Sequence, residues 1–206
     1  MNIITISREF GSGGRELGKR LADYLEYDYY DSEIISAVAK DSGLDEGYVE
    51  RVLGNHGWKN VSISFRGTLA SSQYVKNSQV SLLLEQKKVI EKIARLNKNC
   101  VIVGRNADII LKSYCPFNIF VCASKEAKLK RCIERACGGE NLSEKELLRK
   151  MKQIDGVRRE TREILSGAPW GEKESYHLIV NTADWQIKEA VPAVADFAAR
   201  FFGRTK

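Results

Sequence analysis

A cluster of glycines separates the first apolar run of the chain from its first helical pattern. The segment reads Ile6-Ser7-Arg8-Glu9-Phe10-Gly11-Ser12-Gly13-Gly14-Arg15-Glu16-Leu17. At such a strand-to-helix turn, backbone N–H groups and the positive end of the helix dipole can hold an anion. Glycine allows the backbone to approach a phosphate closely. The candidate residues of this anion-binding site are therefore Arg8, Gly11, Ser12, Gly13, Gly14, Arg15 and, through a bound cation, Glu16.

Two standard nucleotide-binding motifs fit this loop only in part. The dinucleotide fingerprint G-x-G-x-x-G requires a third glycine where Glu16 stands. In the phosphate-loop pattern G-x-x-x-x-G-K-[ST], Arg8 replaces the first glycine and Gly14 replaces the lysine. Either Arg8 or Arg15 could supply the missing cation, as a forked donor. The alternative is a glycine-rich turn that only allows tight packing, and the motif by itself does not separate the two.

Charged side chains follow two of the apolar runs. Asp31 follows the run at 27–30, and Arg105 comes shortly after the run at 100–103. Ligands of open α/β sheets bind outside the carboxyl ends of the strands, so both residues are candidates for a site. An arginine there can bond two phosphate oxygens at once. Glu16 could bind Mg²⁺ directly or through water, or cap the first helix.

Apolar runs alternate with helical patterns along the chain, which is the rhythm of βαβ units. Runs that are apolar throughout indicate strands covered by helices on both faces. The sequence therefore predicts an α/β fold, with a doubly wound, parallel, five-stranded sheet and helices on both faces. The predicted strands are 3–6, 27–30, 100–103, 118–122 and 177–180, and the first predicted helix is 15–25.

Two further segments are predicted to lie outside the sheet. The pattern weakens from residue 32, where glycines and serines are frequent, and this indicates a helical insert at about 32–98. Residues 143–165 combine apolar residues at helical spacing with basic residues between them, which predicts a helical lid at about 138–171. Ser143 and Glu146 form a capping-box start, and Gly167 supplies the stop. We expect one domain over 1–206, with Gly156 and Gly167 as hinge positions.

The composition excludes several classes of protein. With 206 residues, 43% of them hydrophobic, the chain can bury a full core. No export signal is seen and no apolar run approaches the roughly 20 residues that cross a bilayer, so we expect a soluble, cytoplasmic protein. Five cysteines without C-x-x-C spacing argue against a zinc site or a disulfide framework. The net charge of +6 fits a phosphate-bearing partner, but no basic stripe interleaved with aromatics predicts nucleic-acid binding.

At five separated places, in the same order, the chain resembles the cytidylate kinases. It is identified as a member of a divergent, cytidylate kinase-like branch, which carries a similar Ser-Arg-Glu-Phe-Gly-Ser-Gly-Gly-Arg-Glu segment and a similar Trp170-Gly171. The five matches are Ile4-Thr5-Ile6 with the glycine loop, Tyr30-Asp31-Ser32, Ser78-Gln79-Val80, Val103-Gly104-Arg105-Asn106 with the run at 119–124, and Asp155-Gly156-Val157-Arg158.

The resemblance implies a P-loop nucleoside monophosphate kinase fold, with ATP and Mg²⁺ as cofactors and small-molecule nucleotides as partners. Arg105 would grip the acceptor monophosphate, Asp155 would hold a ribose, and Arg131 aligns with a residue that contacts the cofactor. The implied metal ligands are Glu16 and Asp31. The implied substrate-binding residues are Asp31, Ser32, Ser78, Lys87, Arg105, Asn106, Asp155 and Arg158, and the implied catalytic residues are Arg15, Arg105, Arg158, Arg159 and Arg162.

Four departures from the family pattern leave the acceptor open. The loop lysine is missing, Ser36 and Met151 stand where the family has arginines, and Asn106 replaces an aspartate that contacts cytosine. An asparagine can accept or donate, so it could serve a different base. The function expected first is phosphoryl transfer to CMP or dCMP by a monomer or homodimer. The alternatives are a phosphotransferase for another small molecule, or a nucleotide sensor without catalysis.

Overall fold

The computed structural model describes residues 1–31, 35, 76–135 and 143–204, with only the backbone described for 76–82. Ser32, Ser36, the side chain of Ser78 and most of the expected insert lie outside the described residues. The strands are β1 (Ile3–Arg8), β2 (Asp28–Asp31), β3 (Cys100–Val103), β4 (Phe117–Cys122) and β5 (Leu178–Asn181). The helices are α1 (Gly14–Leu25), α2 (Lys76–Arg95), α3 (Ala107–Ile110), α4 (Lys125–Glu134), α5 (Glu144–Ser166) and α6 (Ile187–Arg204).

The five strands form one parallel sheet in the order β2-β3-β1-β4-β5. Strand β1 lies at the centre, with Ile3 opposite Cys100 of β3 and Ile4 opposite Phe117 of β4. From β1 the chain first builds one side of the sheet and then crosses to the other. Ligands of such sheets bind at the carboxyl ends of the strands where the order reverses, so the glycine loop after β1 lies at the expected crevice.

Alternate residues of the strands enter two apolar cores, one on each face of the sheet. On one face, Ile4 and Ile6 pack with helices α1 and α6. On the other face, Ile3 and Ile102 pack with helix α2. Burial on both faces explains why the strands read as continuous apolar runs. The predicted five-stranded, doubly wound sheet is confirmed.

Helix α5, the expected lid, begins and ends where its sequence signals predict. Ser143 caps the helix through the Glu146 N–H, and the Glu146 side chain accepts from the Ser143 N–H at 2.8 Å, so the capping box is complete. Gly167 ends the helix with a left-handed φ of 62°. Helix α5 is continuous through Gly156. The division of the chain into a core, an insert and a lid stays a prediction.

Candidate functional site

The glycine loop between β1 and α1 has the backbone form that an anion cradle requires. Gly11 and Gly13 have φ of 78° and 80°, and Gly13 is the N-cap of α1. Positive φ is strained for other residues, so the loop depends on glycine at both positions. The N–H groups of the first turn of α1 have no helical partner of their own, and they point toward the loop side of the helix. The loop is therefore suited to holding phosphate oxygens.

Side chains from α4 and from the residue that follows β5 contact the loop from outside. Thr182, fully buried just after β5, donates to the Ser12 carbonyl at 2.6 Å. Arg131 of α4 donates to the Thr182 hydroxyl at 3.0 Å and to the Ser12 carbonyl at 3.4 Å. Lys128 donates to the Glu9 carboxylate at 2.8 Å. In this structure, Arg131, the predicted cofactor contact, and Thr182, which the sequence analysis missed, hold the loop in shape.

Helix α5 contacts the same loop through two residues of the predicted lid motif. The Asp155 carboxylate accepts from the Phe10 N–H at 2.9 Å. Arg158 donates to the Arg8 carbonyl at 3.0 Å and to Asp155 at 2.9 Å. Burial raises the pKa of Asp155, an effect that Arg158 and the Phe10 N–H oppose. The two predicted nucleotide contacts of the lid therefore bind the loop backbone in this arrangement.

Three guanidinium groups lie close together beside the loop. Burial lowers the pKa of Arg8 to about 9, with further lowering by the positive charges of Arg158 and Arg105. Burial and then the charge of Arg158 also lower the pKa of Arg105. Burial lowers the pKa of Arg158, and Asp155 opposes this effect. Burial is the largest cause for all three groups, and repulsion by neighbouring positive charges adds to it for Arg8 and Arg105. With a pKa of about 9, Arg8 remains cationic at neutral pH. A cluster of like charges of this kind is a natural site for an anion with several charges.

The turn after β3 carries Arg105 in an unusual backbone conformation. Gly104, Arg105 and Asn106 have consecutive φ values of 85°, 56° and 52°. A non-glycine residue in the left-handed region costs on the order of 1 kcal/mol, and such strain gathers at functional sites. The Asn106 carbonyl accepts from the Ile109 and Ile110 N–H groups at 3.0 Å, which ties the turn to α3. The turn holds the backbone of Arg105 at the carboxyl end of β3, as the sequence predicts.

The predicted metal ligands are both paired with arginine. Asp31 accepts from the Arg15 Nε and Nη2 atoms at 2.7 Å. Glu16 accepts from Arg20 at 2.8 Å and also from Arg135. Among the described residues, no group of three or more histidine, cysteine, aspartate or glutamate side chains is placed to hold a metal ion. The described side chains do not fit a protein-held Mg²⁺, and binding by Glu16 or Asp31 would require these ion pairs to open.

The remaining predicted residues have other partners. Arg162 is 1% exposed and donates to Asp108 at 2.5 Å, with Tyr176 beneath its guanidinium at 5.3 Å. Arg159 lies 5.7 Å from the Trp170 ring centroid. Lys87 is about half exposed on α2 and lies 3.9 Å from Glu91. Catalytic or binding roles for these three residues stay predictions.

Comparisons with known proteins agree with this architecture. The chain is similar to an uncharacterized protein from Eubacterium ventriosum, with 25% identity, a TM-score of 0.71, and coverage of 97% of this chain and 99% of that chain. A shikimate kinase from Bacteroides thetaiotaomicron is 14% identical, with a TM-score of 0.52 and coverage of 95% and 97%. A sugar kinase from Janibacter sp. is 7% identical, with a TM-score of 0.55 and coverage of 95% and 93%. The last two likenesses show the fold alone.

The family is given by a match along the sequence itself. No curated protein matches the chain significantly. The model of the cytidylate kinase-like family matches residues 3–184, which include the glycine loop, the turn with Arg105 and the contacts of α5 with the loop. Because that match spans well over half of the 206 residues, the chain belongs to the cytidylate kinase-like family.

Proposed function

We propose that this protein transfers a phosphoryl group from ATP to a nucleoside monophosphate, with CMP or dCMP as the first candidate. One observation carries the proposal: Arg8, Arg105 and Arg158 lie beside a glycine loop at the carboxyl edge of the sheet, near enough for their positive charges to act on one another. Two phosphate-bearing substrates would bring several negative charges to this place. Guanidinium groups suit such charges because each can bond two phosphate oxygens.

The glycine loop is the proposed site of the donor. Its backbone N–H groups and the N-terminus of α1 would hold the ATP phosphates. The contacts of Thr182 and Arg131 with the Ser12 carbonyl keep the loop fixed before ATP binds. A fixed set of donors stabilises charge without reorganising during the reaction. Mg²⁺ is expected to arrive with ATP, held on the phosphates of the nucleotide.

Arg105 is the proposed contact for the acceptor phosphate. Its backbone is held at the carboxyl end of β3, with the Asn106 side chain next to it along the chain. Phosphoryl transfer of this kind depends mainly on in-line positioning and on neutralising charge, so the protein needs no general base. Asn106 also supports a second candidate, a phosphotransferase for a different base or another anionic small molecule, because an amide both accepts and donates.

The test is ADP formation by the purified protein with ATP and Mg²⁺ and, in turn, CMP, dCMP, UMP, AMP and GMP. We expect turnover that depends on CMP or dCMP, with kcat/KM reduced on the order of a hundredfold in Arg105→Ala. The matched control is Arg200→Ala, which removes an exposed arginine paired with Asp196 on α6 and should leave turnover unchanged.

Each outcome of this test assigns the function differently. Turnover with another base would support the proposed nucleotide kinase activity but would show that the acceptor is not CMP or dCMP. Binding of ATP without turnover of any of the five acceptors would contradict the nucleotide kinase and favour the second candidate or a nucleotide sensor. Nucleotides are the proposed partners, and the cytoplasmic location and the monomer or homodimer stay predictions.

A further inference from the structure

We infer that the cation of the phosphate loop has changed places with a glycine: Arg8 supplies the charge that a lysine at position 14 supplies in the usual pattern. The inference rests on the proposed binding of phosphate by this loop. In G-x-x-x-x-G-K-[ST], the residues at 8–15 put Arg8 at the first glycine, Gly14 at the lysine and Arg15 at the hydroxyl. The two departures at 8 and 14 thus exchange residue types.

The structure couples these two positions in space. A Cβ atom on Gly14 would lie 2.5 Å from the Arg8 Cβ and 3.0 Å from its Cγ. Real Cβ atoms essentially never show contacts below 3.0 Å, so side chains at both positions would require the backbone to shift, and glycine at either position avoids this. The Cβ atom of a lysine at position 14 would fall in the space that the Cβ and Cγ atoms of Arg8 fill. The absence of lysine at position 14 and the presence of arginine at position 8 are consequently linked, because each depends on the residue type at the other position.

The Arg8 side chain then reaches the turn after β3. A Cβ atom on Gly104 would lie 2.0 Å from the Arg8 Nη1 atom and 2.9 Å from its Cζ. The Arg8 guanidinium therefore rests on Gly104, the residue before Arg105, while its Cβ lies beside the first residue of α1. This course takes Arg8 from the proposed donor loop to the proposed acceptor residue. A cation there would be placed to balance charge on the group being transferred.

Arg15, the other candidate for the missing cation, has its charge committed elsewhere. Two of its nitrogen atoms lie 2.7 Å from the same Asp31 oxygen, and Asp31 is 2% exposed. The Tyr29 hydroxyl also donates to Asp31, at 3.4 Å. Removing Arg15 would take the partner that bonds through two nitrogen atoms away from a buried carboxylate, which is costly, although the charge of Asp31 also acts on Arg8 and Arg105. Arg8 is therefore the stand-in for the lysine, and Arg15 serves Asp31.

The experiment is a double-mutant cycle on ATP binding, measured by calorimetry on the full chain without any acceptor. Arg8→Gly is expected to weaken ATP binding ten- to a hundredfold, on the order of the loss of one or two charge-assisted hydrogen bonds. Gly14→Lys alone should also weaken binding, because the new side chain meets Arg8. The double variant, Arg8→Gly with Gly14→Lys, restores the usual pattern and should bind ATP more tightly than either single variant. Losses that simply add in the double variant would overturn the exchange.

If Gly14→Lys does not fold, a second pair of variants tests whether Arg8 or Arg15 supplies the cation. Arg8→Gln and Arg15→Gln remove one positive charge each and keep the length of the side chain similar. We expect Arg8→Gln to weaken ATP binding more than Arg15→Gln, and Arg15→Gln to lower thermal stability more than Arg8→Gln. The reverse order of the two affinities would refute the assignment to Arg8.

The outcome is separable from that of the proposed function. If the wild-type protein binds ATP but turns over no acceptor, the kinase proposal is wrong. The double-mutant cycle on ATP binding still tests the exchange of residue types at positions 8 and 14. Turnover by the wild type together with unchanged ATP affinity in Arg8→Gln overturns the exchange and leaves the kinase in place. A wild type that binds no ATP overturns both.

Discussion

At the scale of single residues, Gly104 is where the parts of the site meet. The Arg8 guanidinium rests against it, Arg105 follows it, and its N–H donates to the Ile6 carbonyl at 2.9 Å. Its φ of 85° lies in the region that glycine tolerates and other residues do not. Two independent requirements, a positive φ and room for a guanidinium, therefore fall on one residue.

Substituting Gly104 tests both requirements together. We expect Gly104→Ala to lower the free energy of unfolding by about 1–3 kcal/mol, because the methyl group is strained at this φ and displaces Arg8. ATP binding should weaken in the same variant. The control is Gly203→Ala in α6, where a Cβ would have nothing within 4 Å. Urea denaturation of both variants measures the effect, and equal stability of Gly104→Ala and the wild type would show that the turn relaxes freely.

The sequence located several site residues but not their partners. Arg105 and Asp31 were predicted because charges shortly after apolar strands fall at the ligand-binding edge. Thr182 occupies the same kind of position directly after β5 but carries no charge, and it was missed because a lone threonine suggests no chemistry. The choice between Arg8 and Arg15 stayed open because the partner of Arg15, which lies on helix α1, is 16 residues away on strand β2. Local spacing contains no information about such a pair.

At the scale of secondary-structure elements, α5 is attached to the loop by apolar as well as polar contacts. Leu147 and Met151 pack with Phe10 of the loop and Cys132 of α4 in a separate small core. Met151 stands where the resemblance places a lid arginine, and it is 5% exposed. An apolar side chain that packs in this small core therefore stands where the resemblance places a positive charge. The structure therefore shows the expected lid packed against the loop, with Asp155 and Arg158 within this contact.

Arg162 and Asp108 join α5 to α3 through a buried ion pair. Breaking a buried pair by removing one partner costs about 3–5 kcal/mol, whereas replacing both by apolar residues is often tolerated. We expect Arg162→Met to have a much lower free energy of unfolding than the wild type. The double variant, Arg162→Met with Asp108→Leu, should regain most of that free energy. Thermal and urea unfolding measure this difference.

The same variants separate a structural from a catalytic role of Arg162. If Arg162 only joins the two helices, kcat of the folded double variant should stay close to that of the wild type. If Arg162 is catalytic, the double variant should instead be stable but have a much lower kcat than the wild type. The control is Arg149→Met on α5, an exposed arginine that is not part of this pair.

The boundaries of the elements were easier to predict than the contacts between them. The run at 100–103 and β3 coincide because all four residues are apolar and buried. Strand β1 extends two residues beyond its predicted end, since Ser7 and Arg8 continue the parallel register with Phe120 and Val121 of β4. Arg162 was predicted as a catalytic residue, and helical spacing could not reveal that its partner lies 54 residues earlier, in α3.

At the scale of the whole molecule, the arrangement of charge matters more than its total. The net charge of +6 is modest for 206 residues. Four carboxylates around the loop each have a basic partner: Glu9 with Lys128, Glu16 with Arg20, Asp31 with Arg15, and Asp155 with Arg158. Arg8 and Arg105 lie among these pairs, with their pKa values lowered first by burial. The folded protein therefore holds a repulsion that a bound polyanion would relieve.

Anions with several charges should consequently stabilise the fold. A ligand that binds only the folded state adds about 2.7 kcal/mol at a concentration 100 times its Kd. For a chain of this length, that corresponds to a rise in Tm of roughly 5–10 °C. We expect tripolyphosphate or ATP to raise Tm in this way, and chloride at equal ionic strength to raise it far less.

Two variants connect the rise in Tm to the arginine cluster. In Arg8→Gln and Arg105→Gln, the rise caused by tripolyphosphate should fall to less than half of the wild-type value, although the unliganded variants should lose little stability because crowding of the positive charges is reduced. Arg200→Gln, which removes the same charge from the exposed surface of α6, should keep the full rise. An equal rise in all three variants would mean that the anion acts on the general surface charge, and the cluster would then not be its binding site.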